Sequence, residues 1–589
     1  MSSSDFQAIN IVDSGINDIT DKLIVPVYSG PSNCTYQRFA FNSNSNSSLT
    51  INVQVPSESI AINPRVLLTG QLNLTFTLGD VPASKSCFQY GLTDSLSSYA
   101  LSSLFTQVSL QINNSLVSTN YQDLLPFFRL LEDKEKIDRR NSTSPNTTNE
   151  LWGMWNDAVL SNSNPMSSIN ESNYDDARIP NGSVPANITV IHYIGGSPTN
   201  TDSSLISTGL NDTWTIYFST KNNLTEPFIG LSPFVSDDEN HSALIGINTL
   251  SMTINLNQCQ RVWQTGNSFV NSNATGLTGY IKSISLGNPN NPNGISNAAL
   301  LFNFNTLSSL QYSKISTKSV ITYNEYARFI TPNSAAPLLQ PNQTGTITYS
   351  NLQLGQIPQL LVFGVRKPMN LQTWLDTDSL LAINSITLTI NNTSGVLASA
   401  STFDLYNVSV ASGSKQSWYS FSGYANSVVN GEAKTIPTLG SMMCINLAKF
   451  GSLNELLTNG SLGQINLLIQ VNVTNQYPYA IQPECITFCN NMGACINQLG
   501  STSLMTGLID MQTTLDAREQ EKHSVIDEEL YKREVGGLHK GIGAFGKYVR
   551  KHMGHVITGN SKSDGDEEDG GYRHKKTSIS KKKLHKLLR

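Results

Sequence analysis

Charged side chains are scarce in this chain of 589 residues, because Asp, Glu, Lys and Arg together make up only 14% of it. Histidine is scarcer still, and His192 and His241 are the only two within the first 500 residues. Acid–base and nucleophilic catalysis usually depend on histidine or on carboxylates paired in a cleft. The sequence singles out no such constellation, so we expect no catalytic residues and no enzyme activity.

Long apolar runs are also absent. A membrane-spanning helix needs roughly 18 or more consecutive apolar residues, and the sequence contains no such stretch. The first ten residues, Met1–Asn10, are polar, unlike the apolar segment of a signal peptide. We therefore expect a protein that is not secreted and has no transmembrane segment.

Cysteine occurs only seven times, and three of the seven form the pattern Cys-x3-Cys-x5-Cys at Cys485, Cys489 and Cys495. Zinc sites usually use tighter Cys hooks and need a fourth ligand. No histidine lies between His241 and His523 to supply that ligand. We interpret the three cysteines as buried thiols and expect no metal site.

A glycine pattern at Gly541, Gly543 and Gly546 matches Gly-x-Gly-x-x-Gly, a spacing found in nucleotide-binding loops. Its context argues against that function. Tyr548 stands where a phosphate loop needs Ser or Thr, and no apolar strand precedes the glycines. We therefore expect no nucleotide and no other cofactor.

What the chain has in abundance is alternation of apolar and polar residues. The segment VSLQINN at Val108–Asn114 recurs as ITLTINN at Ile386–Asn392, and both end in Asn-Asn. A second similar pair, Leu250–Asn257 and Leu468–Asn475, follows the first. A period of two is that of half-buried strands. The repeat predicts two β domains of one type in tandem, with Val108–Asn114 and Ile386–Asn392 on equivalent strands.

Short strands separated by Gly, Pro and Asn turns indicate sandwiches or jelly rolls rather than βαβ units. The segment at Asp123–Asp133 is interpreted as a short helix or a buried corner. We divide the chain into the following regions: an N-terminal arm at 1–40, a first β domain at 41–260 with a loop insertion at about 134–241, a second β domain at 261–505, and a partly helical tail at 506–589.

The tail differs from the rest in charge. Residues 536–589 hold 13 Lys and Arg against 5 Asp and Glu, whereas the remainder holds 25 against 38. Basic tails commonly contact nucleic acid or anionic lipid. The amphipathic stretch Gly541–Ile557 fits a membrane surface, an apolar groove on a partner or its own protein. The candidate nucleic-acid contacts are Lys581, Lys582, Lys583, Lys586 and Arg589.

Three segments resemble double jelly-roll major capsid proteins of virophages, polinton-like viruses and adintoviruses. They are Ser102–Asn114, Gly355–Pro368 and Leu439–Asn475. The resemblance extends over roughly residues 40–500 and implies an all-β chain of two tandem eight-stranded jelly rolls. It further implies a major capsid protein that assembles as pseudo-hexameric homotrimers into the icosahedral shell of a DNA virus.

The resemblance also implies partners and processing. A penton or minor capsid protein would share the shell, and genomic DNA or an internal membrane would contact the tail. Some relatives are cleaved by a maturation protease at Gly-Gly sites, for which Gly536 and Gly537 are the candidates, although Glu534 stands where such sites often prefer an apolar residue. Assembly would occur in the host cytoplasm or nucleus and the product would be the virion.

The polar, Asn/Ser/Thr-rich loops leave one alternative open. A spike, fibre or carbohydrate-binding β protein of a virus would present loops of the same kind. Because the sequence names no catalytic group, the capsid protein is the leading interpretation and the spike or fibre protein the second.

Overall fold

The computed structural model describes residues 7–11, 23–27 and most of 33–507, where the gaps longer than five residues are 80–87, 133–183, 201–212, 235–242, 271–276, 307–317 and 448–461. The strands up to residue 306 are β1 (Gln7–Ile11), β2 (Leu23–Val27), β3 (Asn33–Ala40), β4 (Ser43–Asn44), β5 (Ser48–Gln54), β6 (Ile60–Ile62), β7 (Leu67–Leu78), β8 (Asp94–Leu96), β9 (Phe105–Ile112), β10 (Ser115–Thr119), β11 (Ala186–Ile194), β12 (Ser197–Asn200), β13 (Thr213–Thr220), β14 (Leu224–Pro227), β15 (Thr249–Leu256), β16 (Trp263–Thr265), β17 (Ser268–Val270), β18 (Leu277–Gly279), β19 (Ile281–Leu286) and β20 (Ile295–Thr306).

The later strands are β21 (Lys318–Thr331), β22 (Thr344–Thr348), β23 (Leu352–Gln356), β24 (Leu360–Arg366), β25 (Ala382–Ile390), β26 (Thr393–Val396), β27 (Tyr424–Val429), β28 (Glu432–Pro437), β29 (Met442–Ile445), β30 (Leu462–Thr474), β31 (Glu484–Gln498) and β32 (Ser501–Thr506). The helices are α1 (Tyr121–Leu131), α2 (Cys259–Val262), α3 (Thr402–Ala411) and α4 (Trp418–Ser422), with 3-10 turns at Ser102–Leu104 and Met369–Leu371.

The first lobe is a sandwich of two antiparallel sheets. One sheet has the order β10-β9-β15-β5, and the other contains the order β3-β20-β7, with β14 also paired to β7. These eight strands, numbered along the chain, give the orders five-four-seven-two and one-eight-three-six of a jelly roll. Additional strands, β11, β12 and β13 among them, extend the second sheet beyond β7.

The second lobe repeats this topology. Its sheets have the orders β26-β25-β30-β22 and β21-β31-β24-β29, which again correspond to strands five-four-seven-two and one-eight-three-six. Strand β23 is added to β30, and β32 to β31. The prediction of an all-β chain with two tandem eight-stranded jelly rolls is confirmed.

The repeated segments lie on equivalent strands, as predicted. Strand β9 pairs with β15 through Met252 opposite Leu110, and β25 pairs with β30 through Ile469 opposite Leu388. In β15, every second residue is buried, which is the pattern of a strand with one face on the core.

Both hairpins turn at an asparagine in the left-handed conformation, Asn113 with φ 50° and Asn391 with φ 52°. Asparagine tolerates this conformation better than other non-glycine residues. Each side-chain oxygen also accepts a backbone N–H at the neighbouring strand, from Asn248 at 2.9 Å and from Asn466 at 2.9 Å. The recurrent Asn-Asn of the sequence is therefore a turn geometry that the two lobes of this chain share.

The predicted boundary between the lobes, at residues 260 and 261, is corrected by the strand pairing. Strands β19 and β20 belong to the first lobe, because both pair with β7 and β20 also pairs with β3. The first lobe therefore extends to Thr306, and the second begins with β21. The sequence misplaced the boundary because a jelly roll's last strand returns to the sheet that holds its first strand, a pairing that alternation alone does not reveal.

Two further predicted bounds change for the same reason. Part of the predicted arm, Asn33–Ala40, is the first strand of the jelly roll. Within the predicted insertion at 134–241, strands β11, β13 and β14 form part of the sheet, and β13 pairs directly with β7. The predicted helix at Asp123–Asp133 is α1, which begins two residues earlier. The tail beyond residue 507, with its predicted helical part, lies outside the described residues.

Candidate functional site

Helix α1 is the element through which the first lobe contacts the second. Its start is fixed by Asn120, whose side-chain oxygen accepts a hydrogen bond from the backbone N–H of Asp123. Nine of its 11 residues are buried, which is more than a helix with a single apolar stripe would bury. A helix covered on all sides must lie between two bodies, and here these are the two lobes.

Aromatic side chains form the apolar part of this junction. The ring of Phe127 lies 5.6 Å from that of Phe488, and the ring of Phe128 lies 4.8 Å from that of Tyr326, both edge to face. Such pairs are favoured by their quadrupoles beyond the area they bury. Gly364 allows the close approach, because a Cβ at this position would lie 3.0 Å from the Phe127 ring.

Charged side chains form the polar part. Asp123 of α1 is ion-paired with Arg366 of β24 and with Arg328 of β21, so one acid of the first lobe contacts two bases of the second. The Nε of Arg366 donates to Glu484 Oε1 at 2.8 Å. The side chains of Asp123 and Arg366 are each only 3% exposed. Buried charges are costly unless paired, so these partners depend on one another.

A second buried cluster has the opposite polarity. Arg129 of α1 and Arg261 of α2, both from the first lobe, contact Asp378 of the second lobe at 3.5 Å and 2.9 Å. Arg129 also donates to the hydroxyl of Ser103. The first lobe thus supplies an acid in one place and bases in the other, and the second lobe supplies the complement. Complementary charges at two separate points fix the orientation of one lobe on the other.

Burial lowers the pKa of the arginines in these clusters, and the nearby carboxylates oppose that effect. It lowers the pKa of Arg261 to about 10, and it also lowers the pKa of Arg129 and of Arg366. Nearby carboxylates oppose the effect, Asp378 for Arg129 and Arg261 and Glu484 for Arg366. A guanidinium with a pKa near 10 is still charged at neutral pH, so Arg261 remains cationic beside Asp378.

The sequence interpretation missed both clusters. A signal was present, since Arg129 and Arg366 each stand inside a strongly apolar segment, LLPFFRLL and LLVFGVR. A single charge in such a segment is rarely buried without a partner. The partners lie more than 100 residues away, however, as Asp378 does from Arg261 and Asp123 from Arg366, and the sequence does not indicate the pairing.

The last strand of the second lobe provides another contact with the first. The Thr502 backbone N–H donates to Asn114 Oδ1 at 2.8 Å, and Ser115 Oγ donates to the Thr502 carbonyl at 2.5 Å. Asn113 Nδ2 donates to Thr502 Oγ1 at 2.9 Å. The Asn-Asn hairpin of the first lobe is therefore also an attachment point for the end of the second.

The cysteines of the predicted thiol group all lie on β31. Cys485, Cys489 and Cys495 are buried, and burial raises the pKa of each to about 12. At about 3.3 Å per residue, four positions along a strand separate Cα atoms by roughly 13 Å, too far to share one ion. Among the described residues, no group of three or more His, Cys, Asp and Glu is placed to bind a metal.

The predicted tail sites lie outside the described residues. These are the candidate cleavage residues Gly536 and Gly537 and the candidate nucleic-acid contacts Lys581, Lys582, Lys583, Lys586 and Arg589. In the part of the chain that the structure covers, no helix is long and apolar enough to cross a membrane.

One open depression of about 460 Å³ lies on the sheet of the first lobe. Its lining contains no titratable side chain and consists of Asn52, Val53, Gln54, Gln111, Asn113, Thr249, Leu250 and Ser251. Acid–base chemistry needs a group that can gain or lose a proton near the operating pH. The junction, which fixes the two lobes relative to each other, is therefore a better candidate for the functional site than this depression.

Two jelly rolls of the same topology, joined through a buried helix and two charge clusters, define a double jelly-roll protein. The family model described as the first domain of the Sputnik virophage major capsid protein matches residues 4–305, and that of the major capsid protein V20 C-terminal domain matches residues 326–493. The first match alone covers more than half of the chain. The chain therefore belongs to the Sputnik virophage major capsid protein family, as the resemblance predicted, and its role is that of a major capsid protein, a structural component of the virion.

Individual relatives agree with this assignment. The chain is 24% identical over 524 residues to the putative capsid protein V20 of Sputnik virophage, covering 87% of this chain and 81% of the relative. The cryo-EM structure of the Sputnik virophage matches with a TM-score of 0.68 and 23% identity, covering 87% of this chain and 96% of that one. The mavirus major capsid protein matches with a TM-score of 0.61 and 13% identity, covering 85% and 95%. Both structures share the fold.

Proposed function

We propose that the chain assembles as a homotrimer of pseudo-hexagonal outline and that these trimers tile an icosahedral shell. The observation that carries the proposal is the junction: two lobes of the same topology are held in one orientation by the ion pairs of Asp123 and Asp378. Three such subunits around an axis would present six similar bodies. A rigid two-lobed subunit provides regular edges for a lattice, whereas two loosely tethered lobes would not.

The oligomeric state tests this proposal. Analytical ultracentrifugation of the purified full chain should show a trimer, and electron micrographs of concentrated samples should show hexagonal outlines or shells. A strict monomer up to high concentration would reject the capsid lattice. A compact trimer with elongated, fibre-like images would instead favour a viral spike or fibre.

The partner proteins, the place of assembly and the absence of enzyme activity belong to the same proposal. A penton or minor capsid protein would occupy the shell's vertices, and assembly would take place in the host cytoplasm or nucleus. The chain itself would have no enzyme activity, which is supported by the use of Asp123, Asp378 and Glu484 in ion pairs. A hydrolase panel with the trimer as sample should give no turnover above buffer.

The basic tail would contact the packaged genome, and Lys581, Lys582, Lys583, Lys586 and Arg589 would carry that contact. Each neutralised phosphate contributes to a steep salt dependence of binding. Replacing the five by Gln should weaken DNA binding of the full chain and reduce its salt slope, with anionic vesicles as the comparison ligand. Tight vesicle binding with no DNA binding would assign the tail to an internal membrane instead.

A maturation protease would cut the chain at the Gly536–Gly537 motif and remove the residues beyond Gly537. This proposal stands on the Gly-Gly motif of the sequence and on the tail's position after the last strand of the second lobe. Intact mass measurement of subunits from mature particles distinguishes the outcomes. Loss of everything beyond Gly537 would support cleavage, and full-length subunits would reject it.

A further inference from the structure

The first strand of each lobe carries the same short motif, Tyr-x-Arg-Phe. It occupies Tyr36–Phe39 on β3 and Tyr326–Phe329 on β21. Because side chains alternate along a strand, the Tyr and Arg point to one face and the Phe to the other. Phe39 packs on Phe302 with ring centroids 5.6 Å apart, and Phe329 packs against the core of the second lobe. The motif is therefore oriented alike in both lobes.

The outward face of this motif is covered in the second lobe. Phe128 of α1 lies edge to face on Tyr326, and Asp123 of α1 is paired with Arg328. In the first lobe the same face is open, since Tyr36 is 82% exposed and Arg38 is exposed. Arg38 there donates to the carbonyl of Asn297 in its own lobe at 2.8 Å.

The covering element has a counterpart as well. Helix α3 follows the fifth strand of the second lobe as α1 follows the fifth strand of the first. Asp404 is the third residue of α3, as Asp123 is of α1, and both helices start at a side-chain cap, Ser401 and Asn120. The two acids thus hold equivalent positions on equivalent helices.

The two helices differ in what covers them. Nine of 11 residues are buried in α1, but only two of 10, Leu405 and Ser409, are buried in α3. On the open face of α3, Phe403 is 54% and Val410 is 43% exposed, and Asp404 is exposed beside them. Phe403 belongs to an aromatic group in which its ring lies 5.2 Å from that of Trp418. An apolar helix face with one acid and a strand face with one tyrosine and one arginine are complementary.

We propose that α3 of one copy covers the Tyr36–Phe39 face of β3 in a second copy, with Asp404 paired to Arg38 of that copy. The contact repeats between chains what α1 and β21 form within one chain, through Asp123 and Arg328. It is head to tail, since each copy gives α3 and receives one at β3, and such contacts close into rings when the rotation allows. The inference rests on the proposed trimer and identifies the surface that builds it.

Charge reversal tests the pairing in the full chain. Arg38→Asp and Asp404→Arg should each place like charges together and raise the trimer dissociation constant on the order of 100-fold. The double variant Arg38→Asp with Asp404→Arg restores opposite charges and should return the constant to within about tenfold of the wild type. Lys221→Asp is the matched control, because it reverses an exposed charge of the first lobe that lies outside β3 and outside its partner strand β20.

Mixing the two single variants provides a stricter test. In a ring with an odd number of copies, the two kinds of subunit cannot alternate completely, so one like-charge contact remains. The mixture should therefore trimerise less well than the double variant. Equal recovery by the mixture and the double variant would overturn the head-to-tail ring of three.

The outcomes separate this inference from the proposed function. A wild type that stays monomeric would reject the trimer itself. A wild type that trimerises, together with reversal variants no weaker than Lys221→Asp, would leave the trimer standing and reject this surface. Hydrogen exchange of the wild type tests the surface even if a variant misfolds. Residues 33–40 and 402–411 should gain protection when the wild type forms trimers, and unchanged exchange in both segments would also overturn the proposal.

Discussion

Substitution of Asp123 by Asn is the most direct test of the junction. The amide has nearly the volume of the carboxylate, so the change removes charge without leaving a cavity. Arg366, whose side chain is 3% exposed, keeps its ion pair with Glu484, while Arg328, 35% exposed, remains partly solvated. The perturbation therefore falls on a buried guanidinium that has lost one of two carboxylates.

The expected cost follows from the burial of both groups. Removing one partner of a buried ion pair typically destabilises a protein by about 3–5 kcal/mol, because an uncompensated charge remains inside. Glu484 still accepts from Arg366 Nε at 2.8 Å, so we expect a value near the lower limit, about 3 kcal/mol. This corresponds to a rise of roughly two orders of magnitude in the unfolded fraction.

Urea unfolding at pH 7, followed by tryptophan fluorescence below the concentration of assembly, measures the effect. Asp404→Asn is the matched control, since Asp404 is the third residue of the equivalent helix α3 but is exposed. The Asp123→Asn midpoint should fall well below both the wild type and the control. A midpoint equal to that of the control would refute the view that the buried charges hold the lobes together.

Three further outcomes are expected. Burial raises the pKa of Cys485 and Cys489 to about 12 from an ordinary value of 9, so the unfolded chain loses these protons first as the pH rises. The free energy of unfolding should therefore be unaffected below pH 9 and should fall above it by about 1.4 kcal/mol per thiol and pH unit. Cys489→Ala should reduce the fall of the urea midpoint between about pH 9 and 10. Asn113→Ala should cost about 2–4 kcal/mol through its positive φ and lost hydrogen bonds, with Asn113→Gly recovering part of the loss in the same assay. Gly364→Ala should lower stability by about 1–3 kcal/mol, because its Cβ would approach the Phe127 ring; an unchanged melting temperature would show that the ring yields freely.

The repeat at Val108–Asn114 and Ile386–Asn392 is enough to indicate two β domains of one type, because side-chain alternation is a local property of a strand facing a core. The asparagine turns are visible in the same way, since left-handed backbone limits the residues that can occupy Asn113 and Asn391. The apolar composition near Asp123 predicts a short helix or a buried corner, and the structure shows the helix. The resemblance supplied the jelly-roll topology and the capsid role.

The lobe boundary could not be obtained this way. Strand β20 alternates like its neighbours, and nothing local reveals that it returns to pair with β3 some 260 residues earlier, at Phe302 opposite Gln37. For the same reason, the sequence indicated an arm where β3 lies, and it placed β13 in an insertion and not in a sheet beside β7. Which strands pair is decided by the packing of a whole sandwich.

Local sequence features thus account for the alternating strands, the asparagine turns and the charge of the basic tail, and they limit Asp123–Asp133 to a short helix or a buried corner. The folded structure was needed to show that charges distant in sequence meet, Asp123 with Arg366 and Arg261 with Asp378. It likewise showed that the shared Tyr-x-Arg-Phe motif is covered in one lobe and open in the other, a difference set by α1 and its place in space. Alternation and turn preferences act between neighbours in sequence, whereas ion pairing and helix docking depend on distances that arise only after the sheets have formed.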